Sequence, residues 1–289
     1  MSISFDYAPA PESRSIVDIK PAYGLFIGGD FVDGRGNGFS TVNPATEEVL
    51  AEVSEASEAD VDAAVAAARK AFGPWSRMSG AERGKYLFRI ARLLAERSRE
   101  FAVLESIDNG KPIKESRDVD VPTAAAHFFY YAGWADKLEY AGFGPNPQPL
   151  GVAGQVIPWN FPLLMLSWKI APALACGNTV VLKPAETTPL TALLFAEICQ
   201  QADLPPGVVN IITGAGETGR ALIAHHDIDK VAFTGSTEVG KSIARTVAGT
   251  DKRVTLELGG KAANIVFDDA PIDQAVEGIV NGIFFNQGH

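Results

Sequence analysis

With 289 residues, of which 46% are hydrophobic, 21% charged and 9% aromatic, the chain has the composition of a folded globular protein and not of a disordered one. A net charge of −10 argues against nucleic acid or an anionic membrane surface as a partner, so an anionic ligand must be held by local devices such as a helix N-terminus or a placed lysine. Cys176 and Cys199 supply neither a disulfide framework nor a metal spacing, and four histidines, two of them adjacent at His225 and His226, offer no zinc pattern. No run approaches the roughly 20 apolar residues of a membrane span. The N-terminus carries acids and prolines in place of an apolar signal core, and a reduced cytoplasmic setting is expected.

Residues 1–20, rich in Pro, Ser and Ala, read as a loose arm. "LFIGGDFVDGRGNGFSTVNPATEEVLAEV" reads as short strands broken by Gly and Asn-Pro turns. Ser57 opens a helix with Asp60 as a partial capping box. A second helix follows Pro74 and Trp75. Its apolar stripe is Leu87, Ile90, Ala91, Leu94 and Ala95, with Arg83, Lys85, Arg89 and Arg92 on a solvated face. "VPTAAAHFFYYAGWADKLEYAG" gives a third helix, dense in aromatics. From Leu150, β-rich runs ("GVAGQVI", "NTVVLKP", "GVVNIIT", "KVAFTG", "RVTLEL") alternate with helices starting near Pro162, Pro189, Gly216, Thr237 and Ile272. That alternation predicts an α/β fold: a parallel sheet covered on both faces, with ligands at the carboxyl ends of its strands.

The chemistry-bearing stretches lie at those ends. "GAGETG", Gly214 to Gly219, matches G-x-G-x-x-G after a strand and at a helix start. The acidic residue expected about 20 positions on is not well placed, since Glu238 sits in the next helix start. A glycine turn that lets a helix pack closely fits equally well. In "AFTGSTEVGKS", Gly235 permits close backbone approach and Ser236 opens a helix whose N-terminal amides favour a phosphate. An ordinary N-cap competes, and the stretch is not read as a P-loop. "VVLKPAETTP" puts Lys183 and Glu186 past a buried strand, where they could take a ribose or pair with each other. Glu186 would repel a 2′-phosphate, which favours NAD over NADP. In "VIPWNFP", Asn160 is held between prolines as a neutral donor for an oxyanion, or as the cap of the next helix. "TLELGGK" ends a strand at Glu257, whose apolar setting should raise its pKa as a general base requires, unless it pairs with Lys261 or Lys252. Gly259 and Gly260 would let a ligand pass close to the backbone.

"PWNFP", "KPAETTP", "FTGSTEVG", "LELGGK" and "FFNQG" stand in the order, and close to the spacing, of the aldehyde dehydrogenase superfamily, which the chain resembles from about Tyr23 to His289. The resemblance implies a Rossmann-like parallel sheet with helices on both faces, preceded by an N-terminal strand-and-helix section. The arm would be 1–20 and the NAD-binding domain 21–289, running into the truncated start of a catalytic domain at about 270–289, the rest of which is absent. It implies Asn160 as the side-chain oxyanion donor and Glu257 as the general base. Lys183 and Glu186 would hold the adenine ribose, and Ser236 with the Gly235 turn the pyrophosphate. Pro158, Trp159 and Val239 would line the dinucleotide cleft, with Gly216 near the adenine and Gly259 also beside the cofactor.

The family reaction forms a thiohemiacetal on a cysteine, passes hydride to the nicotinamide and releases the acid with water. That cysteine falls two positions beyond the residue matching His289, and neither Cys176 nor Cys199 matches it. The resemblance therefore implies an aldehyde substrate in the full-length context and a chain inactive alone. The alternative is a non-catalytic NAD-binding or partner-docking protein. An acyl-CoA-forming relative would share this half. "LEYAGFGPNPQP" is shorter than the family's crossing strands, which leaves a homo-oligomer or a complementary catalytic half as the open partner choices.

Overall fold

Short, Gly-broken strands come first and divide between two sheets. The computed structural model describes residues 13–142 and 144–289; most of the expected arm lies outside the described residues. Of the remainder, Lys20 is tied down, its Nζ donating to Glu197 Oε1 at 2.9 Å. Strands β1 (Ala22–Tyr23), β4 (Gly38–Val42) and β5 (Val49–Ser54) form a small sheet ordered β1-β5-β4, while β2 (Leu25–Ile27) and β3 (Asp30–Val32) leave it as an antiparallel hairpin.

The capping box at Ser57 is complete, with both reciprocal bonds to Asp60, and helix α1 (Glu58–Arg77) follows. Pro74 lies inside its last turn, so the second helix begins later than the Pro-Trp pair suggests, capped by Ser79. This helix, α2 (Gly80–Glu96), buries Leu87, Ile90, Ala91 and Leu94. Ala95, expected in the stripe, is exposed, and Arg83, expected on the solvated face, is buried. Its guanidinium satisfies the carbonyls of Met78 and Ala175, which a helix end and a loop leave free. Helix α3 (Ser98–Asn109) ends at Gly110 in the left-handed conformation. A short turn, α4 (Ile113–Glu115), widens into a π-helical turn over Ser116–Asp120 before α5 (Val121–Trp134).

The second half alternates as its sequence predicts: β6 (Val152–Val156), α6 (Pro162–Ala175), β7 (Thr179–Lys183), α7 (Leu190–Gln201), β8 (Val209–Ile211), α8 (Gly216–Ala224), β9 (Lys230–Gly235), α9 (Thr237–Val247), β10 (Arg253–Leu258) and α10 (Ile272–Phe284). The sheet order is β10-β9-β6-β7-β8-β2-β3. Its five later strands run parallel, but the β2–β3 hairpin closes the β8 edge antiparallel, so the sheet is mixed. Alternation along β7 shows two covered faces: Val180 and Leu182 join the core under α2, α3, α5, α6 and α7, and Val181 joins the core under α1, α8 and α9. Burying each such side chain contributes about 1.5–3 kcal/mol. Among the described residues no helix is long and apolar enough to cross a membrane.

Candidate functional site

The strand order places the carboxyl ends of β6, β7 and β9 side by side, and a cleft of about 580 Å³ opens over them. Its walls bring together Pro158, Trp159, Lys183, Glu186, Gly216, Gly235, Ser236 and Val239, which the sequence scatters over more than eighty positions. Lys183 ends β7 almost fully buried and donates to Glu186 Oε2 at 3.0 Å. Burial opposes ionisation of Glu186, but its own backbone N–H and the Lys183 ammonium outweigh it and hold the carboxyl below its usual range. Glu186 itself stays exposed, so one oxygen can still accept from a ligand hydroxyl.

Ser236 caps α9, accepting from Val239 N at 3.3 Å; the remaining first-turn amides stay open to an anion. The cap at Ser236 therefore leaves room for an anion at this helix start. Residues Gly235–Ser242 do carry the G-x-x-x-x-G-K-S spacing of a P-loop, which spacing alone does not exclude. The structure excludes it: α9 already begins at Thr237, leaving no loop to wrap a phosphate ahead of Lys241. Gly216 opens α8 with free space where a Cβ would stand, and Gly214 is fixed at φ +151°, a conformation that favours glycine.

Gly259 is outside the lining; its N–H donates to Gly235 O at 3.2 Å and steadies that turn. Glu257 sits on β10 opposite Thr234 of β9, two strands from β6, which separates their ends by roughly 10 Å. It is exposed, so the apolar enclosure expected around it is not provided by the described residues: β10 pairs on one side only. Nor does it pair with Lys252, which is spent on the carbonyls of Ile223 and His225. Lys169, which sequence reasoning missed, donates to Thr234 Oγ1 at 2.7 Å; burial pushes its ammonium down to about 8, against the pull of Glu257. The signal was there, since Lys169 is the one charged residue in "PLLMLSWKIAPALA".

Asn160 does not cap α6, whose N-cap is Phe161 without a side-chain bond. Among the described residues its amide makes no hydrogen bond and remains available as a donor, while its carbonyl accepts from Lys111 Nζ and Asn286 Nδ2. The cleft thus fits a dinucleotide, with a buried cation and a carboxylate for a ribose and open amides for a pyrophosphate.

Residues 31–289 match the aldehyde dehydrogenase family model. The chain belongs to the aldehyde dehydrogenase family. It is 52% identical over 277 residues to an aldehyde dehydrogenase of Alternaria alternata, covering 92% of this chain and 56% of that protein. It is 50% identical to human retinal dehydrogenase 2, over 91% of this chain and 54% of that protein. The solved NAD+ complex of an aldehyde dehydrogenase from Bacillus cereus superposes with a TM-score of 0.88 at 48% identity, over 92% of this chain and 57% of that one. The chain therefore spans little more than half the length of the family members it matches. Its cysteines lie away from the cleft. Cys176 caps the far end of α6, about 20 Å along the helix axis from Asn160, and Cys199 is buried in α7.

Proposed function

We propose that this chain supplies the NAD site, the general base and one oxyanion donor for oxidation of an aldehyde to a carboxylic acid. The observation that carries this is the convergence of Lys183, Glu186, Gly216, Gly235, Ser236 and Trp159 on one cleft beside Asn160. Bound there, the nicotinamide supplies a hydride acceptor. Lys183 and Glu186 hold the adenine ribose, and the Glu186 carboxylate rejects a 2′-phosphate, which makes NAD the preferred cofactor. The α9 amides take the pyrophosphate, with Gly235 and Val239 against it. Asn160 donates its side-chain N–H to the carbonyl oxygen as negative charge builds there. Glu257 accepts a proton from the attacking thiol or water, and Lys169 is held on the neighbouring strand by its bond to Thr234, which stands opposite Glu257 in the sheet.

Neither Cys176 nor Cys199 can act as the thiol, because Cys176 lies at the far end of α6 from Asn160, Cys199 is buried within α7, and burial raises both thiols above their usual range. The 289 residues alone are therefore expected to bind NAD without turning over aldehydes. The exposed apolar face of α10 supports a second reading, a protein that binds NAD and docks a partner carrying the thiol. NAD titration alongside NADH formation from an aldehyde panel tests both. Binding without turnover fits the proposal, turnover at ordinary enzyme rates refutes the inactive chain, and absence of NAD binding refutes the site.

A further inference from the structure

The segment from the end of α3 to Asp120 grips the backbone of Trp159, Asn160 and the start of α6. Asn109 Nδ2 donates to the Trp159 carbonyl. Lys111 Nζ donates to the Asn160 carbonyl at 3.3 Å and stands 4.3 Å from the centre of the Phe161 ring. Glu105 Oε2 accepts from Leu163 N at 3.2 Å, in the first turn of α6. The Asn160 carbonyl takes a second donor, Asn286 Nδ2 at 2.9 Å, and Asn286 N donates to Glu115 Oε2 at 2.9 Å. Lys111 forms an ion pair with Asp120, both side chains being fully buried, and Glu105 is buried beside them.

A buried ammonium is costly unless it is paired and hydrogen-bonded, and this one spends its bonds on a carboxylate and on a single backbone carbonyl. We propose that Lys111, held by Asp120 and Glu105, is a positioning residue that sets the Asn160 side-chain amide by fixing that residue's carbonyl. This deepens the proposed function and rests on its assignment of Asn160 as oxyanion donor. Burial raises the Glu105 carboxyl well above the usual range, opposed by Lys111 and reinforced by Asp120 and Asp108, and it raises that of Asp120 as well, against the hydrogen bond from Lys111. The grip falls on main-chain carbonyls and an amide, and its members line no wall of the cleft, so its effect is on where Asn160 points. Such aim matters, because a displacement of about 1 Å costs on the order of 10²-fold in rate.

Asparagine-selective 15N labelling of the full chain reads this out, the Asn160 side-chain signals being identified by their loss in Asn160→Ala. Lys111→Met and Asp120→Asn are expected to shift or split that signal pair, and Asn109→Ala to move it less. Glu105→Gln, which keeps the size of the side chain and an acceptor oxygen for Leu163 N, should move it less than Asp120→Asn. An unchanged pair in Lys111→Met overturns the proposal, as does a Glu105→Gln displacement as large as that of Asp120→Asn. Should Lys111→Met fail to fold, Asp120→Asn and Asn109→Ala decide, and silence in both overturns it. The amide signal depends on neither NAD binding nor turnover, so failure of the proposed function leaves this test intact. In a catalytically competent protein, Lys111→Met should lower kcat about ten- to hundredfold with KM for NAD unchanged.

Discussion

At Glu186 one carboxylate does two jobs, since it neutralises a buried lysine and faces the cleft. Glu186→Ala is expected to weaken NAD binding about tenfold, the worth of a charge-assisted hydrogen bond, while NADP binding weakens less; parallel titrations with both cofactors check it. An equal loss for the two would sink the assigned ribose contact. Asp108, at the end of α3, accepts from Thr41 Oγ1 at 2.8 Å and Leu190 N at 2.9 Å, yet burial pushes its carboxyl up to about 7. Burial likewise takes Glu105 up to about 8. Both groups hold their protons more tightly folded than unfolded. Their stabilising effect is therefore complete below about pH 4 and lost as the pH rises through 7 to 8, the reverse of a paired surface carboxylate. Urea unfolding across that window should show stability falling with pH, and Asp108→Asn should flatten the fall by roughly 1 kcal/mol per pH unit. An unaltered slope in the variant would rule Asp108 out as its source. Much of this scale was legible in advance, because Lys183, Glu186, Asn160 and Ser236 stand at strand ends whose positions the sequence gives away. The surroundings of Glu257 were not, because exposure depends on which strand forms the sheet edge, and no local pattern encodes that.

Among the elements, the helices and strands after Leu150 were readable because each strand is a short apolar run bounded by Gly or Pro and each helix starts at a recognisable signal. The β2–β3 hairpin was readable as strands but not as part of the large sheet. Three-residue strands acquire their place from tertiary pairing, here Phe26 with Ile211. Helix α2 shows how close packing constrains an element. Gly80 begins it against the end of α5, and a Cβ there would come within 2.1 Å of the Ala135 carbonyl oxygen. Gly80→Ala should therefore force the helices apart and destabilise by about 1–3 kcal/mol, despite alanine's better helix propensity. A lowered melting temperature checks this; an unchanged or raised one would show that the α2–α5 seam can yield.

At the scale of the whole molecule, α10 presents a large unsatisfied surface. Along α10, Ile272, Val276, Ile279, Val280, Ile283 and Phe284 recur at helical spacing and all remain exposed. Sedimentation velocity on the 289-residue chain is expected to show concentration-dependent association. Ile279→Lys with Ile283→Lys should reduce it while leaving NAD affinity within twofold, because α10 lines no part of the cleft. Association that survives the double variant would place the sticky surface elsewhere. The antiparallel hairpin that closes the large sheet carries a different consequence, one of timing. On a ribosome, β2 emerges early but its partner β8 is made only after α1 through α7. Phe26 must wait for Ile211, and contacts so distant in sequence are slow to form. β2 is thus made early but is among the last strands to be placed, and until β8 arrives Leu25 and Phe26 lack the sheet edge that buries them.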